Sequence, residues 1–216
     1  MPSVSPDCVY HMEDVLDLYA KVYAPTRPVV CLDESPYQLV SEKREPLPAA
    51  PGQPMRYDYE YKREGTCNLF MCFQPLAGWR HVKVTERRTG ADFAHCLKDV
   101  VDVHFPDAEV IRLVTDQLNT HRPAVLYATF EAEEARRIAR KLEWHYTPKH
   151  GSWLDMAEVE LAVLSRQCLD RRIPDMETVV GVVSCWEDRR NEARATVEWQ
   201  FTTNKAREKL GRIYSS

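Results

Sequence analysis

The chain has 216 residues, of which 44% are hydrophobic and 29% charged, with a formal net charge of -4. That balance suits one globular domain with a buried core and excludes a fibrous or low-complexity protein; the mild acidity leaves any nucleic-acid partner to local basic patches. No stretch approaches the roughly 18 to 20 apolar residues of a membrane span, and MPSVSPDCVYHMEDVLDLYA lacks the layout of a secretory leader, so a cytoplasmic protein is expected. Seven cysteines without a CxxC pair read as reduced thiols rather than zinc ligands or a disulfide framework.

Residues 9 to 22 carry Val9, Met12, Leu16, Tyr19 and Val22 at helical spacing. RPVVCLDES (27 to 35) predicts a short strand covered on both faces, and the prolines 46, 48, 51 and 54 mark a loop. MRYDYEYK (55 to 62) alternates, with Tyr57, Tyr59 and Tyr61 on one face. A turn at REG, a return through TCNLFMCFQ (66 to 74), a turn at PLAG and WRHVKVTE (79 to 86) complete an antiparallel meander. Phe93, Leu97, Val100 and Val101 place a helix over 91 to 105, and EVIRLVTDQ (109 to 117) is a second apolar strand. Two short helices and a strand at Leu142 to Tyr146 fill 122 to 146, and a helix runs from Ser152. Beyond Pro174 the chain reads as helical except for the extended ATVEWQFTT. This order predicts the α/β class, a mixed sheet flanked by helices. No GxGxxG or GxxxxGK[ST] phosphate loop occurs.

Two strands end in an acid: VVCLD at Asp33 and VIRLVTD at Asp116. The carboxyl edge of an open α/β sheet is where ligands bind, so neighbouring strands would bring these carboxylates together. A lone strand-end aspartate is ordinarily a loop starter or helix cap. Two converging carboxylates repel and raise each other's pKa unless a divalent cation lies between them, and hard oxygen donors favour Mg²⁺ or Mn²⁺ over Zn²⁺. In GSWLDMAEVEL the apolar stripe Leu154, Ala157, Leu161, Leu164 and Cys168 faces the sheet. Ser152 with Asp155 resembles a capping box, making Asp155 a helix-start residue. Glu158 and Glu160 flank the stripe on opposite sides, and helix geometry does not choose between them.

CLDES, VTDQLNTH and HYTPKHGSWLDMAEVELAVLSRQCLDRR resemble the catalytic domain of bacterial insertion-sequence transposases of the mariner-like superfamily, DDE endonucleases with an RNase H-like fold. The resemblance runs from about residue 12 through the WQFTTNKAREKLGRIY tail. It implies an RNase H-like mixed sheet, with three antiparallel-type strands plus parallel ones, in a core over 25 to 172. An N-terminal helix and linker would precede it over 1 to 24, and a helical extension would follow over 173 to 216. The family's two aspartates fall on Asp33 and Asp116. Its closing motif sets Asn three residues before Glu, so Asp155 takes the Asn place and Glu158 the Glu place, leaving Glu160 as a surface residue. Asn119 and His121 match a supporting motif, and Gln117 stands where the family usually has Asn.

The implied chemistry is hydrolysis and strand transfer on DNA, cut and paste, with two Mg²⁺ or Mn²⁺ ions held by Asp33, Asp116 and Glu158, roughly 3.5 to 4 Å apart. Water attacks first, and the released 3′-hydroxyl then attacks target DNA. The implied partners are transposon ends and target DNA, bound by a homodimer in a bacterial, nucleoid-associated setting. Lys149, His150, Arg171 and Arg172 are candidate phosphate contacts, against the plainer reading of solvated charges. Family members place a helix-turn-helix module before this domain, and this chain is expected to lack it. The rival readings are a non-catalytic remnant that binds DNA or inhibits an intact transposase, and a general RNase H-like nuclease.

Overall fold

The computed structural model describes residues 5–43, 51–52, 60–149, 151–211 and 214. Helix α1 (Pro6–Tyr19) starts on Ser5, whose side chain accepts from the Cys8 N–H, with Pro6 in the first turn, where its missing N–H costs nothing. Three strands follow: β1 (Val29–Glu42), β2 (Tyr61–Gln74) and β3 (Trp79–Thr85). Then come α2 (Gly90–Asp99), β4 (Ile111–Thr115), α3 (Ala124–Thr129), α4 (Ala132–Arg140) and β5 (Leu142–Tyr146). The chain closes with α5 (Met156–Leu164), α6 (Met176–Glu192) and α7 (Thr203–Lys209). No helix among the described residues is long and apolar enough to cross a membrane.

The five strands form one sheet in the order β3-β2-β1-β4-β5. β1, β2 and β3 pair antiparallel, while β4 joins β1, and β5 joins β4, in parallel. Side chains alternate across the sheet. Val29 and Cys31 enter one apolar layer with α1, α5 and α6, and Val30 and Leu32 enter another with α2, α3 and α4. The expected mixed sheet is therefore present, with both faces covered.

Several expectations of detail change. The strand read as 27 to 35 runs on to Glu42. REG does not turn: β2 passes straight through it, with a bulge opposite Leu39 and Val40 and Gly65 at φ +130. The glycine absorbs an extra residue within the strand instead of reversing the chain. Most of the alternating tyrosine segment, including Tyr57 and Tyr59, lies outside the described residues. At the β2–β3 turn, Gly78 has φ +67, and a Cβ there would stand 2.6 Å from the Arg194 backbone, so the turn and the segment after α6 require glycine on both counts.

The helix expected from Ser152 begins later. Ser152–Leu154 form a single 3₁₀ turn, Asp155 is extended, and α5 starts at Met156 with Asp155 as its cap. No Ser152 capping box forms: Asp155 Oδ1 accepts from the Ala157 N–H at 2.8 Å. Beyond Leu164 the helix widens into a π turn, Ser165–Leu169. All seven cysteines are free thiols, with Cys72 and Cys96 sulfurs 3.5 Å apart in the core.

Candidate active site

The register of the parallel strands brings the two aspartates together. Cys31 on β1 lies beside Val114 on β4, and both side chains belong to the layer that contains α5. Two residues further along the chain come Asp33, still on β1, and Asp116, the first residue after β4. β4 ends at Thr115 and the chain departs there, opening the sheet beside Asp33. Helix α5 packs on β1 and β2 beside Asp33. Glu158, in its first turn, is exposed and lines a cavity of about 320 Å³ together with Asp33, Glu34, Ser35, Leu161, Ala162 and Ser165.

Asp155 is only 2% exposed, and its Oδ2 has no hydrogen-bond partner among the described residues. Burial first, then the charge of Asp33, pushes its carboxyl well above the usual range, against the Ala157 N–H; Asp116 and Glu158 add to the rise. Asp33 is raised to about 7, mainly by burial and then by the charges of Glu34 and Asp116, against the Glu34 N–H that its Oδ1 accepts at 2.8 Å. Four acids thus share one neighbourhood, one of them in the position of an ordinary helix cap.

Asp116 is turned toward His121, which is 1% exposed. The imidazole pairs with Asp116 through Nδ1 and with Glu34 Oε2 through Nε2 at 2.9 Å, and stacks on Phe93 at 4.3 Å. Burial alone would lower the His121 pKa, but its two carboxylate partners overcome that and raise it to about 9. Burial likewise opposes the charged form of Asp116, yet the His121 bond and the Leu118 N–H hold its pKa below the ordinary value. The strand-end aspartates therefore differ: Asp116 is kept charged by a cation, and Asp33 is pressed toward neutrality.

Residues 28–180 match the family model described as DDE superfamily endonuclease. The chain belongs to the DDE superfamily of endonucleases. No curated protein matches it. Its fold is similar to two solved structures, the Mos1 mariner paired-end complex with Mn and the Mos1 strand transfer complex, each at TM-score 0.54 and 16% identity. The similarity covers 99% and 100% of this chain but 63% and 64% of those chains, so this chain spans less than two thirds of their length. The five-stranded mixed sheet of this DDE domain is RNase H-like, as in the catalytic domain of Mos1.

A divalent cation is the group the DDE family implies, and the residues suit one by their chemistry. The donors are hard carboxylate oxygens, and the buried Asp155 Oδ2, beside the charge of Asp33, lacks a partner among the described residues. Among the described residues no three His, Cys, Asp or Glu side chains stand close enough together to hold an ion; Asp116 is drawn instead onto His121.

Of the other expected residues, Asn119 is exposed and makes no side-chain hydrogen bond among the described residues, while Gln117 donates to the Thr147 carbonyl at 3.0 Å. Lys149 is exposed, and His150 lies outside the described residues. Arg171 is exposed and forms no ion pair among the described residues, whereas Arg172 is paired with Glu42 and lies over the Tyr61 ring. Glu160 is a correction. Expected at the surface, it is 2% exposed and ion-paired with Arg80 at 2.9 Å and Arg190 at 2.8 Å. A carboxylate beside the apolar stripe could have been suspected of burial only by locating its cationic partners, which come from distant β3 and α6. Glu34 was missed too, although an acid directly after Asp33 within a strand must point to the opposite face.

These pKa shifts set a pH dependence for the metal-free protein. Asp33, raised to about 7, contributes stability that is complete below its unfolded value of about 4 and lost as pH rises through about 7. His121 has the same sign: its contribution is complete below about 6.5 and lost as pH rises through about 9. In EDTA the Tm is expected to fall between about pH 5 and about pH 8, and less steeply in Asp33→Asn. A Tm rising over that range would refute the assignment of these two groups.

Proposed function

We propose that this chain is the catalytic domain of a DDE transposase, carrying out metal-dependent cleavage and strand transfer on DNA. One observation supports the reading above the rest: Asp33 on β1 and Asp116, directly after β4, are near enough for the charge of one to act on the other, and Glu158 lines a cavity with Asp33. Asp33, Asp116 and Glu158 would hold Mg²⁺ or Mn²⁺. A bound ion of this kind neutralises charge on a phosphoryl group and lowers the pKa of water.

The protein's part is placement. β1 and the end of β4 would bring two carboxylates to the sheet edge, and α5 the third. His121 holds Asp116 ionised and oriented while anchored by Glu34 and Phe93. Around the half-buried Asp33 and Asp116, limited water access strengthens their electrostatic interactions. Transposon ends and target DNA are the proposed substrates, and a homodimer on DNA the proposed assembly.

The test is nicking of element-end DNA by the full chain with Mg²⁺ or Mn²⁺, supplemented by a DNA-binding module where needed, compared with an RNA·DNA hybrid. Metal-dependent cleavage of DNA is expected; cleavage confined to the RNA of the hybrid would favour a general RNase H-like nuclease. His121→Asn, which removes a residue orienting a ligand, is expected to raise the metal concentration needed for half-maximal cleavage by about 10- to 100-fold. An unchanged metal titration would rule that positioning role out.

A further inference from the structure

Seven of the described arginines form an ion pair with an acid. Arg137 is held by Asp102 and Glu134, Arg207 by Glu13, Arg27 by Glu109, Arg172 by Glu42, and Arg190 by Glu160. Of those that form no ion pair, three stand together. Arg166, Arg171 and Arg189 are exposed, form no ion pair among the described residues, and line one groove of about 690 Å³ between the π turn and α6.

Two of them are held in place without being neutralised. Arg166 Nε donates to the Ala162 carbonyl at 3.1 Å and Arg189 Nε to the Cys185 carbonyl at 3.2 Å, each one turn back along its own helix. These tethers use the inner nitrogen and leave the terminal nitrogens of both guanidiniums without a protein partner among the described residues. A fixed, unneutralised guanidinium suits a phosphate oxygen, because less side-chain freedom is lost on binding. Among the described residues that line the groove, Asp170 is the sole acid. On α6, Gly181 keeps the floor low: a Cβ there would meet nothing within 4 Å.

One hydrogen bond links the groove to the catalytic cavity: Arg166 in the groove donates to the carbonyl of Ala162, which lines the cavity. Ser165 lines the cavity that holds Asp33 and Glu158, and Arg166, the next residue, lines the groove. α5 passes directly into the π turn, so both concavities are walled by one continuous helical segment.

We propose that this groove is a binding track for the sugar-phosphate backbone of DNA, carrying the strand that leads into the catalytic cavity. The inference rests on the DNA-cleaving reading above. The arginines supply the sequence-independent part of the affinity, with phosphates as ligands and no base recognition.

The test is fluorescence anisotropy of a labelled random-sequence DNA duplex with the full chain in EDTA across a salt series, beside a cleavage assay with Mn²⁺. Arg166→Gln, Arg171→Gln and Arg189→Gln are each expected to reduce the slope of log affinity against log salt by about 0.9, and the triple variant to sum these losses. Arg137→Gln and Arg207→Gln, made at paired arginines, should leave the slope as it is. Asp170→Asn should tighten binding. Gly181→Glu, which meets no protein atom at its Cβ, should weaken binding while leaving the Tm equal or higher. A folded triple variant with the wild-type slope, or equal losses at the paired arginines, overturns the groove. If that happens while the wild type still cleaves DNA with Mn²⁺, the catalytic reading stands; a wild type that neither binds nor cleaves DNA overturns both.

Discussion

Asp33→Asn, Asp116→Asn and Glu158→Gln are each expected to lower DNA cleavage by about 10³-fold or more, since the metal's stabilisation of the transition state is worth several kcal/mol and each 1.36 kcal/mol is tenfold. The amides keep the shape of the acids, so the loss reports charge and ligation instead of packing. Stability should move the other way at Asp33. In EDTA at about pH 8 the wild type carries a carboxylate whose ionisation is opposed by burial and by the charges of Glu34 and Asp116, and Asp33→Asn removes that conflict. A higher metal-free Tm, with a reduced Tm gain on adding Mn²⁺, is the expected signature. Glu158 is exposed, so Glu158→Gln should cost activity with little change in metal-free Tm. Near wild-type cleavage by any of the three would remove that residue from the site, and Glu160→Gln serves as the comparison that the sequence left open.

The second large effect lies at that neighbouring acid. Arg80 is fully buried; it donates to the Gly78 carbonyl at 3.0 Å and the Ala195 carbonyl at 2.6 Å, and its guanidinium lies 4.9 Å from the Phe73 ring centre. Burial works against its charge, and Glu160 is the acid paired with it. Glu160→Ala strands this guanidinium, and breaking a buried pair from one side costs about 3–5 kcal/mol. For a chain of this size that lowers the Tm by roughly 10 °C. Because Glu160 is on α5, two residues past Glu158, activity should fall with stability, yet cooling should restore part of it, unlike Glu158→Gln. A stability loss below about 1 kcal/mol would show that the pair adds little beyond its own desolvation cost.

The sheet, both strand-end aspartates and most helices were legible because each depends on local patterning: apolar runs for β1 and β4, helical spacing for α1, α2 and α5. Element limits were less legible where geometry departs from a regular period. The stripe through Leu164 was expected to continue at Cys168, but the π turn holds more residues per turn, and Leu169 is the buried one while Cys168 is partly exposed. REG looked like a turn because a bulge and a turn both use glycine. Spacing alone could not separate Glu158 from Glu160, since that depends on which side of α5 meets Arg80 and Arg190. Asp155 was read correctly as the residue that starts the helix; its burial beside Asp33 was hidden, because a cap is ordinarily exposed.

The order of strands also bears on how the acids come to meet in time. β1, β2 and β3 are consecutive in the chain and pair as neighbours, so Asp33 belongs to a unit that local contacts can assemble early. Asp116 joins only when β4 docks against β1 across the whole meander and α2, a long loop closure that comes with a greater entropic cost. The crowding of carboxylates is therefore deferred until the apolar layers that offset it are in place, since of the four acids only Asp33 belongs to the meander. Amide exchange should accordingly show protection in β1 and β2 arising before protection in β4 during refolding.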